Sequence, residues 1–97
     1  MSNISQYQRA EIYDKALLCY GEQTQLVVAL EELSECQKEI CKILRGTGNS
    51  SHLAEEIADS LIMLEQVIQI FGLDVMVARE MDRKVKRLDD RLKGGFA

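Results

Sequence analysis

Residues 23–45 read QTQLVVALEELSECQKEICKILR, and this stretch decides the fold. Its apolar residues recur at spacings of three and four, which places them on one face of a helix. That predicted face consists of Leu26, Ala29, Leu30, Leu33, Cys36, Ile40, Ile43 and Leu44. The helical pattern ends at residues 46–51, GTGNSS, the clearest loop in the chain.

Glycines on either side of this stretch divide the chain into four predicted helices. They span approximately residues 4–20, 23–45, 51–71 and 74–93. Ser50 or Ser51 is expected to cap the third helix and Asp74 the fourth, because their side-chain oxygens can accept hydrogen bonds from unpaired first-turn amides.

The other three helices also carry apolar stripes. The third has Leu53, Ile57, Leu61, Leu64, Val67, Ile68 and Phe71, and the fourth has Ala78, Met81, Val85, Leu88 and Leu92. The first has only a loose stripe of Ile4, Tyr7, Ala10, Leu17 and Leu18. Short connections make consecutive helices pack antiparallel. The sequence therefore predicts an all-α protein, an antiparallel four-helix bundle in a single domain over residues 1–97.

Length and charge narrow the functional classes. A chain of 97 residues without proline builds one small core, and burial of apolar surface between copies is expected to give a homodimer or homotetramer. The net charge is -4 and the basic residues form no patch with aromatics, so a nucleic-acid partner is not expected. Apolar runs shorter than roughly 18 residues and the absence of a signal-like start indicate no membrane partner and a cytoplasmic location.

Two acids interrupt the apolar face of the third helix. At about 100° per residue, Glu56 projects near the middle of that face and Asp59 lies at its edge. Glu55 projects to the polar side instead. No Lys or Arg occurs between residues 51 and 71. A carboxylate directed into a bundle is costly unless it is protonated, paired or bound to a cation, so Glu56 needs a partner.

The second helix has a comparable pair, Glu32 and Glu35, at the border of its apolar face. If the two helices pack through these faces, four carboxylates converge and repel each other unless a metal binds. Oxygen ligands without His or Cys suit Mg²⁺, with Mn²⁺ as a substitute. The alternative is a solvated acidic surface, in which Lys38 and Lys42 pair with Glu35 and Glu39.

These residues resemble a known family. The run 31–35, EELSE, is followed twenty residues later by 56–59, EIAD. Together they match the EExxE and ExxD signature of the MazG-like all-alpha nucleotide pyrophosphohydrolases, and the likeness covers most of residues 20–92. The resemblance implies a magnesium-dependent enzyme that cleaves a nucleoside triphosphate between the alpha and beta phosphates and releases the monophosphate and pyrophosphate.

The resemblance also implies roles for individual residues. Glu31, Glu32 and Glu35 are implied as catalytic residues, and Glu31 and Glu39 are placed to orient a water or to contact a ligand carboxylate. The implied metal ligands are Glu32, Glu35, Glu56 and Asp59.

Candidates for binding substrate phosphates are basic residues of the second and fourth helices: Lys38, Lys42, Lys84 and Arg91.

Three alternatives stay open. The first is a catalytically silent helical interaction module. The second is a nucleotide sensor that binds its nucleotide without turnover. A minor alternative is a phosphoribosyl-ATP pyrophosphohydrolase, but those relatives usually carry a Tyr-His pair where this chain has residues 61–64, LIML.

Overall fold

The computed structural model describes residues 3–94, which form four α-helices. They are α1 (Gln6–Tyr20), α2 (Glu22–Leu44), α3 (Ser50–Phe71) and α4 (Asp74–Gly94). The predicted all-α class and the four helices are confirmed, and each described boundary lies within two residues of its prediction. None of the helices within residues 3–94 combines the length and apolar character needed to cross a membrane.

Two predicted helix starts need correction. Asn49 caps α3, because its Oδ1 accepts hydrogen bonds from the backbone N–H groups of Ser51 and His52 at 2.8 and 3.1 Å. The prediction of Ser50 or Ser51 as the cap is therefore wrong by one or two residues. Asp74 lies inside the first turn of α4 rather than before it, where its carboxylate interacts favourably with the positive end of the helix.

Helices α2 and α3 form an antiparallel hairpin, and theirs is the most extensive contact between helices within residues 3–94. Ala29 of α2 and Met63 of α3 are buried in this contact. Polar residues hold its register: Gln25 Nε2 donates to Gln66 Oε1 at 2.8 Å, and Ser60 Oγ donates to the Glu32 carbonyl oxygen at 3.1 Å.

The α2–α3 connection requires glycine at position 48. A Cβ atom built there would lie 2.6 Å from the backbone nitrogen of Ile43, which belongs to the last turn of α2. Any larger residue would force the loop away from the helix. Gly48 therefore allows the chain to turn closely against α2 before α3 begins.

Helix α1 packs differently from its predicted stripe. Its buried residue is Tyr13, whereas the predicted contact residues Ile4, Tyr7 and Leu18 are exposed. Polar side chains attach α1 to α3, including an ion pair of 3.3 Å between Arg9 and Glu65. The weak apolar pattern of this helix agrees with a polar attachment rather than a packed seam.

Helix α4 has few contacts with α3, and none of its residues is buried. Its apolar seam consists of Met81, Val85, Leu88 and Leu92, and each of these is more than half exposed. The seam has the spacing of a packed helix but lacks a partner within one chain. The four described helices are consistent with the predicted four-helix bundle, in which α4 makes its main contact with α3 and leaves its seam exposed.

Candidate metal centre

The α2–α3 hairpin brings three of the predicted metal ligands together. One carboxylate oxygen from each of Glu32, Glu56 and Asp59 lies within 4.8 Å of the others. Glu56 and Asp59 are one turn apart on α3, and Glu32 faces them from α2. The hydrogen bond from Ser60 to the Glu32 carbonyl fixes the register of the helices at this level. We call these three residues the acidic cluster.

Glu56 has the inward position that its sequence pattern predicts. Its Oε2 atom is buried and has no hydrogen-bond partner. Burial raises the pKa of Glu56 above its ordinary value, and the neighbouring charges of Glu32 and Asp59 raise it further. An unpartnered buried carboxylate oxygen is costly, so this atom has an open requirement for a proton or a cation.

The donor set of the acidic cluster fits a hard divalent cation. None of the ion pairs found within residues 3–94 includes Glu32, Glu56 or Asp59, so no Lys or Arg compensates these carboxylates. All the donors are oxygens, which Mg²⁺ and Mn²⁺ prefer. The buried, unpartnered Glu56 oxygen can be satisfied by a proton or by such a cation.

Glu35 and Glu31, the other predicted acids of α2, lie outside this group. Glu35 is exposed and its carboxylate pairs with Lys38 at 3.4 Å. Glu31 is exposed and, with Glu32 and Glu35, lines a shallow open depression beside α2. Three of the four predicted metal ligands therefore converge, and Glu35 is held at the solvent side by a lysine.

Glu39 is the most buried acid of the chain's described part, with 7% of its surface exposed. Its carboxylate pairs with Lys42 at 2.9 Å, and its charge contributes to the raised pKa of Glu56. Glu39 therefore faces the same helix contact as the acidic cluster, one turn beyond Glu35. Unlike the cluster, it has its own cation.

The predicted phosphate-binding residues fall into two groups. Lys38 and Lys42 are occupied by Glu35 and Glu39 on their own helix. Lys84 and Arg91 on α4 are exposed, and no ion pair within residues 3–94 includes them. Neither lines the depression beside α2, and neither is among the charges that shift the pKa of Glu56.

Sequence reasoning missed the polar residues that position the cluster. Gln25, Ser60 and Gln66 are all buried, and their hydrogen bonds tie α2 to α3 on either side of the core. A signal was present in the sequence. Gln25 lies four residues before Ala29 and Gln66 three after Met63, so both occupy core-facing positions at helical spacing.

A second concave region lies between α1 and α3, with a volume of about 570 Å³. Its polar side chains are bonded to each other: Tyr13 donates to Glu65, and Gln69 donates to Asp14 and to the Ala10 carbonyl oxygen. Burial, together with the hydrogen bond to Glu65, raises the pKa of Tyr13 to about 12. This cleft contains no residue of the acidic cluster. Its polar side chains are hydrogen-bonded between α1 and α3, which indicates that they hold α1 against α3.

Comparison of the chain with models of known families, with curated proteins and with solved structures gives no match. The candidate site is therefore defined by its own geometry and residue chemistry. The positions of Glu32, Glu56 and Asp59, and the unpartnered Glu56 oxygen, are its defining observations.

Proposed function

We propose that this chain is a magnesium-dependent nucleoside triphosphate pyrophosphohydrolase. Its reaction hydrolyses the bond between the alpha and beta phosphates and releases a nucleoside monophosphate and pyrophosphate. The observation that carries the proposal is the buried, unpartnered Oε2 of Glu56 within a cluster of three carboxylates that form no ion pair with any Lys or Arg of the described part of the chain. The sequence resemblance to the MazG-like enzymes supports the same reaction.

The chain's own residues have separate roles in this proposal. Glu32, Glu56 and Asp59 would hold the cation, and a bound Mg²⁺ would neutralise charge on the phosphates and lower the pKa of a coordinated water. Glu35 and Glu31 share a depression beside α2 with Glu32, and in this proposal they orient the attacking water there. To take this role, the Glu35 carboxylate has to leave its ion pair with Lys38 and turn toward the bound water.

The proposal is tested with a panel of canonical and modified nucleoside triphosphates, incubated with Mg²⁺ or Mn²⁺. We expect monophosphate and pyrophosphate as products. Glu56→Gln and Asp59→Asn should each lower kcat/KM by at least about 100-fold, because each removes a charged donor to the cation. Glu55→Gln is the matched control, since Glu55 is exposed and next to Glu56 in the chain. It should retain wild-type turnover.

The other outcomes identify the remaining alternatives. If metal and nucleotide bind but every nucleotide stays intact, the chain is a sensor and the hydrolase proposal is wrong. If neither binds, the chain is a helical interaction module. Release of pyrophosphate from phosphoribosyl-ATP alone would instead identify the histidine-biosynthesis activity.

We also propose that the chain works as a homodimer or homotetramer. It exposes 7908 Å² of surface, about 2,300 Å² more than a compact monomer of 11.0 kDa typically exposes. Its radius of gyration is 16.6 Å, against roughly 12.5 Å for a compact chain of this length. A stable interface needs about 800 Å² from each partner, so the excess surface supports association.

A further inference from the structure

We infer that Ser60 is a positioning residue of the candidate metal centre: its hydroxyl group holds the α2 member of the acidic cluster level with the two α3 members. This inference rests on the proposed metal-dependent function and adds a residue that contacts neither cation nor substrate. Ser60 directly follows Asp59 in the chain and lies one turn after Glu56. Its Oγ donates to the backbone carbonyl oxygen of Glu32 at 3.1 Å. One hydrogen bond therefore links the backbone segments that carry all three members of the cluster.

The hydroxyl group of Ser60 lies in the interior of the α2–α3 contact. Ser60 is 5% exposed, and Ala29 in the same contact is 4% exposed. A hydroxyl group in such a place needs a partner within the protein, because water has little access to it and an unpaired polar group in the interior is costly. The hydrogen bond to Glu32 is therefore a persistent contact of the folded hairpin.

The acceptor that Ser60 uses is informative. A serine inside a helix can donate to the carbonyl oxygen four residues earlier in its own helix, which for Ser60 is that of Glu56. Ser60 donates across the contact to α2 instead. The Glu32 carbonyl oxygen has a second lone pair beside the one used within α2, so the bond between the helices replaces no hydrogen bond inside either helix. Its effect is to fix the position of α2 relative to α3.

The acidic cluster has little tolerance for movement between its two helices. One carboxylate oxygen from each member lies within 4.8 Å of the others. A slide of α2 along α3 by a single residue would move Glu32 by about 1.5 Å, whereas a binding site needs its groups held to within about 0.5 Å. Glu56 and Asp59 share one helix, so Glu32 is the member that such a slide displaces. Ser60 acts on the backbone of this member.

A positioning role of Ser60 has a different signature from a role in stability alone. Replacement of Ser60 by alanine leaves no buried group without a partner, because the Glu32 carbonyl oxygen keeps its bond within α2. The fold should therefore survive, with a melting temperature lower by no more than about 10 °C. The affinity for a cation should fall by a large factor, since groups that orient metal ligands typically account for about 10- to 100-fold in metal affinity.

The test titrates the full chain with Mg²⁺ alone and measures the Kd by calorimetry. Ser60→Ala should raise the Kd at least about tenfold relative to the wild type. Ser60→Thr and Ser60→Val form a second pair, because their side chains have the same shape and only threonine keeps the hydroxyl group. Ser60→Thr should bind Mg²⁺ at least about tenfold more tightly than Ser60→Val, whatever the extra methyl group does to both.

Tyr13→Phe is the matched control. It also removes a buried hydroxyl group that links two helices, because Tyr13 of α1 donates to Glu65 of α3. Neither residue belongs to the acidic cluster or lines the depression beside α2. This variant should lower the melting temperature while changing the Kd for Mg²⁺ by no more than about twofold.

Equal Kd values for the wild type and Ser60→Ala, or for Ser60→Thr and Ser60→Val, would overturn the role of Ser60 and leave the hydrolase proposal standing. An equally large loss of affinity in Tyr13→Phe would also overturn it, because lower stability would then be the cause. A wild-type chain that binds neither Mg²⁺ nor Mn²⁺ would overturn the metal centre and the role of Ser60 together. Mg²⁺ binding that Ser60→Ala weakens, without turnover of any nucleotide, would support the role of Ser60 and contradict only the hydrolase proposal.

Discussion

Helices α3 and α4 are similar in length and both carry an apolar stripe, yet they behave in opposite ways. Helix α3 buries Ser60, Met63 and Gln66 against α2, whereas α4 buries none of its residues. The α4 seam has the more regular spacing of the two, uninterrupted by acids. A regular apolar stripe therefore shows that a helix needs a packing partner, but it does not say which one. An apolar stripe interrupted by acidic residues, as in α3, points to a candidate binding site.

The largest expected difference between these helices is in the cost of removing an apolar side chain. Met63→Ala should lower the free energy of unfolding by about 2–4 kcal/mol, because it leaves a cavity in the hairpin core. Leu88→Ala on α4 should change it by less than about 0.5 kcal/mol, since Leu88 contacts mainly solvent within the chain. Urea unfolding at a chain concentration where light scattering shows a monomer would compare the two without the contribution of a second copy.

An equal cost for the two substitutions would contradict the comparison. It would mean that the α4 seam packs on a surface of its own chain. The m-value provides the control, because both variants should expose the same surface on unfolding.

An intermediate effect is expected for the buried amide pair of the hairpin. Gln25→Ala removes the donor to Gln66 and leaves a buried carbonyl oxygen unsatisfied, which should cost about 1–3 kcal/mol. Replacing both residues together, Gln25→Leu with Gln66→Leu, should cost less than the single change because no polar atom is then left alone. Thermal unfolding measures the stability of both variants. A double variant that is less stable than Gln25→Ala would show that the hydrogen bond contributes more than the avoidance of an unpaired buried oxygen.

The smallest expected effect is a pH dependence of stability that comes from Glu56 in the acidic cluster. The pKa of Glu56 is raised above 4.5 in the folded chain, so the folded state holds that proton more tightly than the unfolded state does. The resulting stabilisation is complete at pH values below about 4.5 and is lost as the pH rises through the raised pKa. In EDTA, the melting temperature of the wild type should therefore fall relative to that of Glu56→Gln as the pH is raised above 4.5.

Addition of Mg²⁺ should reverse this loss in the wild type, since the cation takes the place of the proton. The effect of Mg²⁺ should be larger at pH 8 than at pH 5, and it should be absent in Glu56→Gln. Parallel pH profiles of the two proteins would show that Glu56 is not the group responsible.

The sequence predicts the helices and the central residue of the site, and it fails where local alternatives are nearly equal. Glu56 was identified because a charge inside an apolar stripe has few explanations. The cap of α3 was misplaced because Asn49, Ser50 and Ser51 all have side chains able to accept the same hydrogen bonds. The exposure of Leu30 was not predictable, because the apolar residues of one helix do not show how many of them its neighbouring helix covers.

The position of Glu35 was missed for an electrostatic reason. On a single helix, Lys38 is one turn from Glu35 and pairs with it whether or not a metal site lies nearby. Spacing alone cannot distinguish a carboxylate that faces its own lysine from one that faces the neighbouring helix. Glu32 has no lysine or arginine three or four residues away, and its carboxylate lies beside those of Glu56 and Asp59.

The amide pair between Gln25 and Gln66 and the hydroxyl contact of Ser60 have a consequence for ion selection. A helix that slides along its neighbour would break both contacts in the interior, so α2 and α3 keep one relative height. Carboxylates carried by such helices keep one spacing. Mg²⁺ requires oxygen ligands at about 2.0–2.1 Å and Ca²⁺ at about 2.3–2.6 Å, so in the proposed metal site a few uncharged side chains would set which of these ions the carboxylates bind.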